Sequence, residues 1–513
     1  MRSSARDEGL HSAVKPTAGD PRRWILVALM CTLMLAAMDI TIVATAIPQI
    51  VADLGGFRLF SWLFSIYLLA QTVTIPICGK LADMVGRKPV LVAGMLVFLA
   101  GSAASSMAWN MTSLIAFRGL QGIGAGSIIA TVSTLAGDLY SVRERAAIQG
   151  WLSSVWGVAA LAGPLAGGAF AEYLSWRWIF LVNLPIGGLA LALIGAFLHE
   201  TFEKRQRRVD YAGSVLVLAS TGTLIYGLLQ GGQAWPWLSR QSLEVFALAA
   251  ALIAATVWVE RRAAEPVMPG WLWRQRTLIG ANLGTLAMGM VMMAPSAYLP
   301  TFLQSVHGLG AIGAGLVLAC MSFGWSGASA VSGRLYLRAG FRDTAIVGSV
   351  LVSLAAAAFA LLHAARGPWA AVIDQVILGA GFGLLFTPLL IGVQSVVPWE
   401  RRGVATGASM FARYLGQSLG AAFFGALFNA VVGARLAHPP EALAQHLPLH
   451  VDAVIDALHA SSGGSAAHAY LRDTIEGATV AVFGAMAGIA IVALVVLFVM
   501  PRHPDTVAAT ERR

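Results

Sequence analysis

Gly157-Val158-Ala159-Ala160-Leu161-Ala162-Gly163-Pro164-Leu165-Ala166-Gly167-Gly168 lies inside an uncharged run from about Trp151 to Phe170. One proline and four glycines in the middle of a helix are costly in water. A bilayer tolerates them, because small residues let a neighbouring helix approach closely and the freed carbonyl finds another partner. Gly163 and Gly167 are four apart and share a helix face, with Gly157, Ala160 and Pro164 near it. The stretch therefore predicts a close helix–helix seam, either one that parts and flexes or one that only packs.

The rest of the chain has the same character. Of its 513 residues, 58% are hydrophobic and only 12% charged, about half the charge of soluble domains. Fourteen apolar runs approach the roughly 20 residues a spanning helix needs, from 24–48 to 477–500. The expected fold is an all-α polytopic membrane protein. Cys31, Cys78 and Cys320 fall within apolar runs and imply no disulfide framework. Residues 1–23 are polar and the first apolar run lacks a small-residue cleavage site, so they read as an uncleaved cytoplasmic tail.

Charge sets the orientation. With the N-terminus inside, the inner loops carry clusters such as Lys80, Arg87 and Lys88, or Arg143 and Arg145, or Arg401 and Arg402. The outer loops carry one or two each: Arg58, Arg177, Arg240, Arg366, Arg435 and Arg472. The bias holds along the whole chain, which predicts an even number of spans with both ends in the cytoplasm. It also accounts for the net charge of +9 without nucleic acid.

The chain repeats itself. Arg118-x3-Gly122-x-Gly124-x-Gly126 returns as Gln375-x3-Gly379-x-Gly381-x-Gly383. Arg145-x4-Gly150 returns as Arg402-x4-Gly407, and Gly163 has Gly420 at the same offset. Gly79-x-Leu81-x4-Gly86-x-Lys88 returns as Gly333-x-Leu335-x4-Gly340-x-Arg342. Two six-helix bundles, 24–198 and 277–500, are predicted, joined by a 199–276 linker with two inserted spans. An extracytoplasmic loop is expected over 431–476 and a cytoplasmic tail over 501–513. Duplicated halves around a midplane site are the plan of many secondary transporters. The copies are unequal: Asp83, Arg118 and Pro164 in the first stand opposite Leu337, Gln375 and Ala421 in the second. In the loop, Pro448 between His446 and His450 argues against a two-histidine metal site, and no metal or cofactor is expected.

Asp39 lies deep in the first span, where a carboxylate must be paired, protonated or facing water. Arg118, in the fourth, is its natural partner. At 1.5 Å per residue Arg118 sits roughly 10 Å below its outer end and Asp39 roughly 13 Å below its own. An acid held between desolvation and a nearby cation suits proton exchange, with a structural ion pair as the alternative.

These motifs together resemble the major facilitator superfamily over nearly the whole chain. Gly157-(x)5-Gly163-Pro164-x-x-Gly167-Gly168 is similar to its antiporter motif, which marks drug–proton exchangers. Leu114-Ile-Ala-Phe-Arg118-Gly-Leu-Gln121-Gly122 resembles its fourth-span motif, whose arginine is implicated in proton transfer. Gly79-Lys80-Leu81-Ala82-Asp83-Met84-Val85-Gly86-Arg87-Lys88 resembles its signature loop, with Met84 in place of the usual arginine; there the resemblance implies a latch of the outward-open state. Asp83 can pair with an arginine or cap a helix start. The first-span Asp-x-Thr-Ile-Val, the two extra spans and Trp176-Arg177-Trp178-Ile-Phe180-Leu-Val-Asn183 resemble the fourteen-span EmrB/QacA drug–proton antiporters, although Ala44 departs from their frequent asparagine.

The resemblance implies a proton-driven multidrug exporter of the inner membrane. External protons would load Asp39 with help from Arg118, and rocking of the halves would carry them inward. Met288, Met292, Phe323, Phe382 and Tyr414 are candidate cavity residues, since thioethers and aromatic faces suit flat hydrophobic molecules. Arg413, an intramembrane cation, is expected to hold a substrate or to cap carbonyls. With no acid in the tenth span, neutral or monovalent cationic substrates are expected. The expected partners are protons, small-molecule drugs and the lipid bilayer, with a periplasmic adaptor optional; no nucleic acid is expected, and the chain is expected to be a monomer. One alternative is the same fold dedicated to a single antibiotic, siderophore or metabolite. A membrane enzyme would want clustered catalytic residues within the spans, and a receptor would move no solute. ATP-driven pumping is not expected, because no phosphate-cradling Gly-x4-Gly-Lys-[Ser/Thr] occurs.

Overall fold

The computed structural model describes residues 21–55, 59, 62–200, 210–232, 235–263, 266–362, 367–440, 443 and 466–502. Among them the regular structure is helical. The helices are α1 (Pro21–Leu54), α2 (Trp62–Val85), α3 (Arg87–Ser106), α4 (Met111–Leu139), α5 (Val142–Tyr173), α6 (Trp178–Leu181) and α7 (Asn183–Phe197). They continue with α8 (Tyr211–Gln230), α9 (Arg240–Glu260), α10 (Arg276–His307), α11 (Ala311–Ala339), α12 (Phe341–Leu362), α13 (Pro368–Ser395), α14 (Arg402–Ala437) and α15 (Ala466–Leu497).

Thirteen helices among the described residues are long and apolar enough to cross a membrane, α6 and α7 counting as one. The expected seventh run gives a shorter apolar helix, Ala212–Leu228. Its ends are set by Asp210, whose side chain accepts from Gly213 N at 2.8 Å, and by the turn at Gly232, where φ is +76°. The sixth run forms α6 and α7, which meet at Val182, where the backbone stays helical at φ −60° and ψ −25°. Helix runs into both ends of the expected 431–476 loop, since α14 continues to Ala437 and α15 begins at Ala466. His446, His450 and His459 lie outside the described residues, as do most of the two tails.

The repeat is visible in the packing. In the first half α4 lies against α2 and α3, and α1 against α5 and α7; in the second α13 lies against α11 and α12, and α10 against α14 and α15. The repeated glycines are the points of contact. A Cβ on Gly122 would fall 2.5 Å from Tyr67 O, and one on Gly126 2.5 Å from Gln71 O; Gly383 meets Trp325 O at the same 2.5 Å. Such approaches admit no side chain, so the helices meet backbone to backbone. Gly86 and Gly340 open α3 and α12 with φ of +101° and +89°, a region only glycine enters freely.

The halves join along two equivalent seams, α5 on α11 and α2 on α14. The inserted pair α8 and α9 packs on itself, and α8 also touches α2 and α14.

Candidate functional site

Three groups of predicted residues come together in different ways. The deepest is in the first half. Asp39 and Arg118 are fully buried and form an ion pair through Oδ2 and Nη1. Gln121, one turn after Arg118, closes the arrangement: its Nε2 donates to Asp39 Oδ1 at 2.7 Å and its Oε1 accepts from Arg118 Nη1 at 2.9 Å. Arg118 Nε reaches Leu63 O at 3.3 Å, and its guanidinium lies 4.3 Å from the centre of the Tyr67 ring. Ser102 Oγ accepts from Gln121 Nε2 at 3.3 Å and from Asn183 Nδ2 at 3.0 Å, and donates to Phe180 O at 2.9 Å. Asn183, in α7, is fully buried at this depth. Arg118 Nη2 is buried without an acceptor, but the other contacts hold the pair in one geometry, and losing either partner leaves an uncompensated charge.

The second group lies at the end of the molecule that carries the basic loops. Asp83 accepts from Gly403 N and Val404 N, both at 2.8 Å, at the N-terminus of α14 in the other half. It also takes Arg87 Nη2 at 2.8 Å. Both expected roles, arginine partner and helix cap, are thus met by one carboxylate. Arg87 in addition donates to Asp138 at 3.0 Å and to Trp399 O at 2.7 Å, and stacks 3.8 Å over the Trp399 ring. Arg402 bonds Asp138 from the far side at 3.1 Å. Gly79 touches Gly403, with 2.6 Å between an added Cβ and its carbonyl oxygen. Lys88 stays in its own half: its Nζ donates to Leu198 O at 2.6 Å and its backbone N to Glu200 at 2.8 Å.

The glycine motif divides between two neighbours. Gly163 and Gly167 pack on α1 at Thr41, Ile42 and Thr45, and Thr41 donates to Ala159 O at 2.9 Å across the contact. Gly157, expected near that face, instead meets Ser322 of α11 in the other half. Pro164 is exposed, and a Cβ on Gly168 would meet nothing within 4 Å. A helix turns 100° per residue, so a position six residues before Gly163 faces away from it.

Between the halves lies an open cavity. Leu33, Ile129, Gln149, Leu152 and Trp156 line it from the first half; Met292, Trp325, Phe386, Met410, Arg413 and Tyr414 are among those lining it from the second. Met292, Arg413 and Tyr414 are therefore on the wall as expected. Three other candidates are not. Phe323 is 65% exposed on the outer face of α11. Met288 is buried in packing, and Phe382 stands behind Trp325 with ring centres 5.5 Å apart. On helices apolar all round, composition does not separate lipid face from cavity face. Asp39 and Arg118 are not on this wall.

Comparison with known proteins agrees with this architecture. Residues 29–421 match the Major Facilitator Superfamily. The chain is 35% identical over 412 residues to the multidrug transporter protein MdtP of Bacillus subtilis, covering 80% of this chain and 76% of that one. It is 32% identical over 403 residues to multidrug resistance protein 3 of the same organism, covering 79% of each. Among solved structures, the human organic anion transporter MFSD10 superposes with a TM-score of 0.62 at 15% identity, covering 94% of this chain and 100% of that one, a likeness of fold alone. A repeated six-helix unit, two equivalent seams and a cavity between them are the parts of a membrane transporter, not of an enzyme, and with the match over residues 29–421 they establish that the chain belongs to the Major Facilitator Superfamily.

Proposed function

We propose that this protein is a proton-coupled multidrug efflux antiporter that exports lipophilic small molecules by alternating access. The observation that carries the coupling is the fully buried Asp39–Arg118 pair with Gln121 bridging it. A proton delivered to Asp39 neutralises one half of the pair, releases Arg118 and Gln121 to new partners, and so favours a different arrangement of α1 against α4. At the basic end, Asp83, Arg87, Asp138 and Arg402 tie the halves together; their separation is the opening of that side. Efflux is supported by relatives named as a multidrug transporter and as efflux pumps.

The same reading takes the chain as the fourteen-span EmrB/QacA type, with α8 crossing the membrane beside α9. It places the protein in the inner membrane, termini in the cytoplasm, as a monomer, with a periplasmic adaptor as an optional partner. The charge bias of the loops supports the orientation. Residues 24–198 and 277–500 are the moving halves, and 199–276 carries the inserted pair.

Inverted membrane vesicles energised to an acid interior provide the test. Lipophilic drugs are added and a pH-sensitive dye is followed, for the wild type and Asp39→Asn. Drug-induced loss of the gradient, absent from the variant, is expected. Loss in both moves the proton site, with Asp374 next. A second reading is an exporter dedicated to one metabolite. It is favoured by a 30% identical relative named as the MFS-type transporter of the acurin A biosynthesis cluster of Aspergillus aculeatus. A response confined to one compound would select it.

A further inference from the structure

Arg413 is the one charged residue on the wall of the central cavity among the described residues. It is 7% exposed, yet its only hydrogen-bond contact is a weak one, Nη2 to the Met292 sulfur at 3.9 Å, and Nε has none. The expected capping of carbonyls is not seen. The Phe386, Trp325 and Tyr414 rings lie 5.0, 5.3 and 5.6 Å from the guanidinium carbon. The other buried arginines have oxygen partners, although Arg118 and Arg145 each keep one unpaired nitrogen: Arg87 has two carboxylates, Arg118 a carboxylate and two oxygen acceptors, Arg145 two carbonyls. A desolvated guanidinium without a counter-ion is expensive, and here it faces the cavity between the halves. Beside it the indole N–H of Trp325 is buried and also without an acceptor.

We propose that the central cavity binds amphipathic aromatic acids, with the carboxylate of the ligand held by Arg413 and its flat apolar body against Trp156, Trp325, Phe386 and Met292. A planar guanidinium pairs with a carboxylate through two parallel N–H bonds, which supplies the missing acceptors at once. Trp325 offers a further donor. The cavity lining contains no acid among the described residues, so a cationic ligand would meet Arg413 with nothing to offset the repulsion. This replaces the neutral or monovalent cationic class expected from the sequence. The inference rests on the exporter reading for its biological meaning, but binding needs no transport.

The test uses the full-length purified protein and three fluorescent probes: 1-pyrenebutyrate, its methyl ester, and a pyrenebutyl-trimethylammonium analogue. Binding is read at neutral pH by energy transfer from tryptophan, since Trp156 and Trp325 line the cavity. The acid is expected to bind about tenfold or more tightly than the ester or the cation, the scale of one charge-assisted pair. Arg413→Gln should abolish that preference while leaving ester affinity unchanged, and Arg413→Lys should restore part of it. An acid that binds no better than the ester, or a preference that survives Arg413→Gln, overturns the proposal. If Arg413→Gln does not yield folded protein, the wild-type ranking decides, and a preference for the cation or the ester is fatal. Tight acid binding without drug-driven proton movement in vesicles would leave this site standing and remove the exporter reading instead.

Discussion

The two halves of this molecule share a skeleton and differ in where their charges go. In the first half the intramembrane arginine, Arg118, is enclosed by Asp39, Gln121 and a carbonyl, away from the cavity. In the second, Gln375 stands in its place, and the intramembrane arginine is Arg413 on α14, facing the cavity without a carboxylate. The packing glycines are repeated because both copies must bring helices together backbone to backbone. The charges are not repeated, and on the proposed mechanism they serve different steps. A closed pair suits a group that changes protonation, and an open cation suits a group that receives a ligand.

The largest effect expected from that contrast is on stability. Arg118→Ala leaves Asp39 buried with Gln121 as its remaining partner, a loss of about 3–5 kcal/mol. Adding Asp39→Asn to it should recover most of the loss, because the stranded charge is then gone. Arg413→Gln removes a cation that no carboxylate accompanies, so it should cost under about 1 kcal/mol or stabilise. Thermal unfolding of the purified variants in one detergent measures all three. Equal losses from Arg118→Ala and Arg413→Gln would show that Arg413 is a structural charge and break the comparison.

A smaller effect concerns the seam at the basic end, where the asymmetry recurs. Asp83 reaches across to α14, whereas Asp343, in the first turn of α12 in the second half, bonds Arg342 at 2.8 Å and Arg502 of the C-terminal tail at 3.4 Å. Asp83→Asn weakens charge-assisted bonds worth about 1.5–3 kcal/mol and should loosen the seam about tenfold. Asp343→Asn should leave it unmoved. The readout is maleimide labelling of a cysteine at Ser133, a cavity residue whose carbonyl takes Gln394 Nε2 from the other half at 3.0 Å. Faster labelling in Asp83→Asn alone sharpens the contrast; equal rates in both variants would end it.

Much of this was legible in the residues. Helix rise alone put Asp39 and Arg118 at matching depths, and Asp83 could be read as an arginine partner or a helix cap because its loop sits beside helix starts. The rest of the buried network was not legible. Gln121 stands out only as part of the fourth-span motif, Ser102 is one of three serines on α3, and Asn183 is a single polar residue in an apolar run. The cavity wall was the least legible part: Phe323 and Trp325 are two residues apart on α11, and one faces outward while the other lines the cavity. Their chemistry is alike, so tertiary packing alone separates them.

The smallest effects bear on whether the glycine stretch of α5 flexes or only packs. Gly163→Ala would drive a Cβ into Thr41 Oγ1 and place it 2.8 Å from Thr41 Cβ, so Thr41 must turn, giving up its bond to Ala159 O, and α1 must shift. Thr41 is two residues from Asp39, and a shift of α1 at that point moves the carboxylate relative to Arg118. A loss of about 1–3 kcal/mol, typical of overpacking, is expected together with weaker drug-driven proton movement. Gly168→Ala meets nothing within 4 Å and should change stability by less than about 0.5 kcal/mol. If the stretch works by close packing, Gly168→Ala transports normally. If it works by bending of the main chain, Gly168→Ala slows transport at unchanged stability, because a glycine has been lost from the hinge without any contact being disturbed. The pair of variants therefore separates the two roles that spacing alone leaves equal.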